Sequence, residues 1–169
     1  MPRIAEGSLS FDFPAGWEAT KFDDWSFYQN QFKNLGGGSK GVDILALEPG
    51  AACLWQIEIK DYRRHRRTKT IDLAAEVVQK ARDTLAALAA ARVNANDAGE
   101  KALADAALHC RRLRIVLHLE QPTHHSKLFR RAIDPANVQL RLRQLAKAID
   151  PHPMVREMGR MPGCPWTVT

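Results

Sequence analysis

Apolar and polar residues alternate along Leu54-Trp55-Gln56-Ile57-Glu58-Ile59-Lys60. An extended chain here would carry Trp55, Ile57 and Ile59 on one side and Gln56, Glu58 and Lys60 on the other. A second apolar run, Gly41-Val42-Asp43-Ile44-Leu45-Ala46-Leu47, precedes it across Pro49-Gly50-Ala51-Ala52. Proline presets a turn and glycine tolerates positive φ, so the pattern predicts a β-hairpin in which Glu48 faces Cys53. Counting back along both strands puts Asp43, on the first strand, opposite Glu58, where cross-strand Cβ atoms lie roughly 4.5 to 5.5 Å apart. Ser8 to Phe13 alternates like a first strand that stops at Pro14, and Leu113 to Glu120 reads as a strand ended by Pro122.

Helical spacing appears elsewhere. Trp25, Tyr28, Phe32 and Leu35 predict a short helix over 24–35, with Asp24 as its candidate cap. Gly36-Gly37-Gly38-Ser39 breaks it; lacking a Gly-Lys-Ser/Thr ending and leading into a strand, this is a flexible connector rather than a phosphate loop. From Ile71 to Arg92, Ala74, Val77, Val78, Ala81, Leu85 and Leu88 form one stripe that packs on the sheet, with Glu76, Lys80 and Asp83 elsewhere. A polar turn over 94–99 leads to a further helix over 100–109. Asp134-Pro135 opens another long helix with Val138, Leu142, Leu145 and Ile149 on its stripe, stopped by Pro151, and Trp166-Thr167-Val168 is a candidate closing strand. The expectation is an α/β fold with a central mixed sheet flanked by helices. Residues 1–169 are read as one domain, with 94–110 as a possible helical insertion and 151–169 as a C-terminal extension.

A chain of 169 residues that is 45% hydrophobic buries a sizeable core. Its formal charge of +6 favours an anionic partner, with nucleic acid leading. The N-terminal residues lack the apolar core of a signal peptide and no run approaches a membrane span, so a cytoplasmic location without membrane contact is expected. Cys53, Cys110 and Cys164 are scattered and odd in number, which points to inert thiols rather than disulfides or a zinc knuckle.

Two carboxylates as close as Asp43 and Glu58 repel unless a cation lies between them, and oxygen ligands suit Mg²⁺ or Mn²⁺. An acidic residue on one strand and Glu58-Ile59-Lys60 on the next resembles the PD-(D/E)xK, or restriction endonuclease-like, superfamily, with Val42 where the family has its proline. The resemblance rests on residues 41 to 60. It implies an αβββαβ core, a metal held by Asp43, Glu58 and the backbone of Ile59, and Lys60 positioning or activating water. It further implies Mg²⁺-dependent hydrolysis of phosphodiesters, in DNA more than RNA, in defence, mobile-element biology or repair, with a homodimer or a partner protein supplying targeting. A nuclease fold without turnover, serving as a nucleic-acid-binding or assembly module, is the alternative; a basic interaction subunit with no nucleic acid is a third reading.

Arg63, Arg64, Arg66, Arg67 and Lys69 follow Lys60 directly and form the expected nucleic-acid contact, where phosphates would lie near the metal. Arg111-Arg112, Arg130-Arg131, Arg141 and Arg143 add charge without entering the site. His109, His118 and His124-His125 lack the spacing of a zinc ligand set. Gln79, and one of Glu18, Asp23 or Asp24, are further candidates for contact with the metal site.

Overall fold

The computed structural model describes residues 1–122 and 132–169. The expected hairpin forms with the expected register: β4 (Ile44–Leu47) and β5 (Leu54–Asp61) are antiparallel, and Ile44 faces Ile57. The connection is a single 3-10 turn, Pro49–Ala51, in which Gly50 takes φ 70°, the left-handed conformation that glycine enters without strain. Beyond Leu47 the Glu48 amide still donates to the Cys53 carbonyl at 3.0 Å.

Asp72 caps the next helix, α1 (Leu73–Asn94), by accepting from the Ala75 amide. The same device opens α2 (Ala98–Leu108), where Asp97 accepts from Glu100, and α3 (Pro135–Leu145), where Asp134 accepts from Ala136 and proline takes the first helical position. Between them β6 (Leu113–Glu120) lies parallel to β5, an arrangement that requires the long crossover α1 and α2 provide. With β3 (Glu18–Lys21) and β7 (Met154–Arg156) these strands form a mixed five-stranded sheet in the order β3-β4-β5-β6-β7.

The period-two pattern sorts the sheet's two faces. Trp55 and Ile57, with Ile44, Ala46 and Val116, pack against a second sheet of three strands: β1 (Arg3–Glu6), β2 (Leu9–Asp12) and β8 (Thr167–Val168), in the order β1-β2-β8. On the opposite face Ile115, Leu117 and Leu119 meet Leu73, Ala74, Val77 and Ala81 of α1 and Val138 and Leu142 of α3. A third cluster joins Ala87, Leu88 and Ala91 of α1 to Ala104 and Ala107 of α2 and to Phe22, Trp25, Phe27 and Tyr28. No helix among the described residues is long and apolar enough to cross a membrane.

Several expectations need correction. Asp43 lies just ahead of β4 rather than on it. The segment 24–35 holds a helical stretch with a π turn at Tyr28–Phe32 that no side chain caps, and Leu35 is 59% exposed because Gly36 turns left-handed beside it. The last helix stops at Leu145, itself 41% exposed, since the Ile149 and Asp150 amides turn back onto the Ala146 carbonyl. His124-His125 and Arg130-Arg131 lie outside the described residues.

Candidate functional site

Gly41 begins the site. A Cβ there would stand 2.8 Å from the Phe22 ring and 3.3 Å from Tyr28, so only glycine lets the chain pass this close to both. The Tyr28 hydroxyl accepts from the Gly41 amide at 2.8 Å, and Thr84 Oγ1 of α1 accepts from the Val42 amide at 3.0 Å. The Phe22 amide donates to the Asp43 carbonyl at 2.9 Å. With its backbone fixed this way, Asp43 reaches across and its Oδ2 accepts from the Ile59 amide at 2.6 Å. The contact Ile59 makes here is through its N–H.

Glu58 points toward α1 and is fully buried. Its Oε1 lies 2.6 Å from Lys60 Nζ and 2.6 Å from Lys80 Nζ, whereas Oε2 has no hydrogen-bond partner. Lys80 also stands 3.5 Å from Asp43 Oδ1 and thus bridges the two carboxylates. Burial, with the Asp43 charge behind it, pushes the Glu58 carboxyl up to about 7. Lys80 is held above the ordinary lysine value because Glu58 and Asp43 outweigh its own desolvation.

Lys60 turns a second way, to Glu76 Oε1 at 3.4 Å. Glu76 is likewise fully buried and is also engaged by Lys69 at 2.6 Å and Arg67 at 2.8 Å. Desolvation would raise its carboxyl, but these three cations overcome that and press it down to about 2. The result is one row of alternating charge, Asp43, Lys80, Glu58, Lys60, Glu76, ending on Arg67 and Lys69 of the basic segment.

All three residues expected at the centre, Asp43, Glu58 and Lys60, are therefore brought together. Of the three upstream acids, Asp23 is the one that approaches: it is half-buried, its Oδ1 lacks a hydrogen-bond partner, and burial and the Asp43 charge raise its pKa. Glu18 is exposed on β3, and Asp24, 68% exposed, pairs with Lys21. Gln79 makes no hydrogen bond to the site among the described residues; its neighbour Lys80 occupies that place. Glu76 and Lys80 were missed as site residues. Their signal was the spacing of four shared with Thr84, a polar row beside the stripe of Val77 and Ala81.

The basic segment is not a uniformly free cluster. Arg63 is held by Asp61 at 2.6 Å and by Ser8 Oγ at 2.7 Å. Arg67 donates to the Tyr62 hydroxyl at 3.0 Å and to the Ile71 carbonyl at 2.6 Å, besides Glu76. Arg64 and Arg66 are exposed. The segment has a cavity of about 220 Å³ on the side toward Lys60, His65 and Lys69 and another of about 110 Å³ on the side toward Gln121 and Ile133.

No group of three or more His, Cys, Asp or Glu side chains is placed to hold a metal ion among the described residues. His118 is buried on the opposite face of the sheet, 2.9 Å from Glu120, and His109 closes α2. The three cysteines are unpaired; burial pushes the Cys53 thiol up to about 12 and Cys164 to about 11, so neither is a ready thiolate.

No family model matches the chain, and no solved structure matches it. Among curated proteins it is similar to the cysteine--tRNA ligase of Neisseria meningitidis serogroup A / serotype 4A (strain DSM 15465 / Z2491), 35% identical over 168 residues covering 82% of this chain. The match covers 24% of that ligase, so the chain spans about a quarter of its length. This finding overturns the expected PD-(D/E)xK membership and, with it, the metal-dependent nuclease and hydrolase reading: the similar protein is a ligase. An acid opposite Glu-x-Lys is a pattern that a buried ladder of ion pairs also produces, and the ladder is what Lys80 and Glu76 complete here.

Proposed function

We propose that this chain is an RNA-directed module working in a tRNA-related setting, with its binding face over residues 58–69 and the start of α1. The observation that carries this reading is the charge row that ends on Arg67 and Lys69, because it ties an exposed basic segment rigidly to a buried acidic pair. Phosphate contacts from such a segment give salt-sensitive affinity, and guanidiniums already pinned lose little freedom on binding. The similarity to a tRNA ligase supports RNA over DNA as partner.

Asp43 and Glu58 fit a hard divalent cation by their chemistry, and the orphaned Glu58 Oε2 offers a buried acceptor for one. In this proposal Asp43 and Glu58, with the backbone of Ile59, would hold Mg²⁺ or Mn²⁺, which would supply positive charge for a phosphate. Two carboxylates and two ammoniums already balance at this site. Lys60, held between Glu58 and Glu76, would offer its charge to a phosphate there. The layout of three antiparallel strands, a helix and a parallel strand supports a restriction endonuclease-like αβββαβ core, with 94–110 inserted and 151–169 appended to one domain. That is a statement of fold, and fold carries no activity with it.

Anisotropy titrations of a labelled tRNA transcript and a DNA duplex of equal length, at stepped salt and with Mg²⁺ or chelator, test the reading. Tighter tRNA binding that weakens with salt and loses its Mg²⁺ response in Asp43→Asn is expected. Equal affinity for DNA, or no tRNA binding, overturns it.

A further inference from the structure

We infer that the cavity of about 110 Å³ between the basic segment and the end of β6 receives one unstacked nucleotide of an RNA strand. Its walls are Tyr62, Pro122 and Ile133 on the apolar side and Arg64 and Arg66 on the charged side, with Gln121 at its back. This inference rests on the RNA reading above and names the part of the RNA that the site takes.

The walls are built in advance. Gln121 is 3% exposed and spends both ends of its amide on one residue: Nε2 donates to the Ile133 carbonyl at 2.9 Å, and Oε1 accepts from the Ile133 amide at 3.2 Å. That clamp fixes Ile133 against the cavity and holds the Gln121 amide in one orientation, with one N–H and one lone pair still open. Tyr62 is fixed as well, since its hydroxyl accepts from Arg67 Nη1. A ring held still beside proline and isoleucine gives a flat apolar slot, and every base has a face to lay against it.

Charge selects the rest of the ligand. Arg63 and Arg67 also line the cavity, and their charges are paired with Asp61 and Glu76. Arg64 is exposed and lines the cavity, with no ion pair to spend its five donors on among the described residues. An apolar slot with a guanidinium rim matches a base joined to a phosphate, and unstacked RNA bases bind proteins in this way.

The test uses the full chain with a hairpin RNA bearing a single-stranded overhang that carries the fluorescent base 2-aminopurine, and the same hairpin cut blunt. The overhang is expected to bind at least about fivefold tighter and its fluorescence to be quenched on stacking. Arg64→Ala and Tyr62→Leu each remove that advantage, whereas Tyr62→Phe keeps the quench because the ring remains. Equal affinity for both RNAs without quenching, with salt-sensitive binding intact, overturns the pocket and leaves the RNA reading standing. Absence of binding to either RNA overturns both. Free adenosine monophosphate is the second source of the same chemistry: competition only at a large excess supports the strand, and competition at concentrations comparable to the RNA assigns the cavity to a free nucleotide and overturns the inference.

Discussion

Lys80 of α1 meets Glu58 of β5 at 2.6 Å, in a position where a helix packed on a sheet would ordinarily place an alkyl side chain. A fully buried carboxylate tolerates this only in company, and Lys80 is the cation that also reaches Asp43. Lys80→Met should therefore destabilise the protein by about 3 to 5 kcal/mol, the usual result of removing one partner from a buried pair. Urea unfolding would show it as a fall in midpoint at unchanged slope. If the acidic pair holds a divalent ion, Mn²⁺ should restore more of the lost stability in this variant than it adds to the parent.

The Glu58 carboxyl makes stability depend on pH in a direction opposite to most carboxylates. Its pKa rises from 4.5 to about 7 on folding, so between those values the native state keeps a proton that the unfolded chain releases. Stability falls as pH rises through that window, by up to about 3 kcal/mol at 1.36 kcal/mol per unit, and is flat above it. Glu76 acts the other way, contributing above 4.5 and losing its contribution as pH falls toward 2, so the two effects separate. Chemical denaturation at pH 5 to 8 should show the slope, and Glu58→Gln should flatten it.

Divalent binding should follow the same carboxyl. Protons and metal compete for Glu58, so Mn²⁺ affinity measured calorimetrically rises about tenfold per pH unit below about 7 and levels off above it. An affinity independent of pH across this range would separate the ion from Glu58.

Gly41→Ala tests how Asp43 is placed. The new methyl would meet the Phe22 ring at 2.8 Å, and overpacking of this kind costs about 1 to 3 kcal/mol. Because the Tyr28 hydroxyl holds the same amide, the variant should also shift Asp43 and weaken the Mg²⁺ response of tRNA binding beyond what the stability loss explains.

Legibility in the sequence followed the strength of local constraints. The hairpin was readable because a tight turn and a period of two leave one register, and that register alone carries Asp43 to Glu58. Strand β6 was readable for the same reason, with Pro122 to end it. Strand β3, Glu-Ala-Thr-Lys, has no alternation to see and exists because β4 offers it a ladder; β1 and β7 are as short. Glu76 and Lys80 escaped because charged residues next to an apolar stripe are usually solvated, and only tertiary packing turns that edge of α1 onto Glu58 and Lys60. Function was the least legible. Asp43 with Glu58-Ile59-Lys60 is too short a pattern to separate a hydrolytic centre from a ladder of ion pairs, and the resemblance to a ligase lay outside anything those four residues encode.

The three-stranded sheet sets an order of events during folding. Strand β2 is sandwiched between β1 and β8, and next to β8 the Ser10 and Thr169 backbones exchange hydrogen bonds at 2.8 and 3.0 Å. Phe11 and Phe13, both fully buried, are covered by Val168 and Trp166. A ribosome-bound chain thus makes Phe11 and Phe13 long before Trp166 and Val168, which shelter them. They stay open until those residues emerge, and a contact of such wide sequence separation belongs among the slow, late steps of folding.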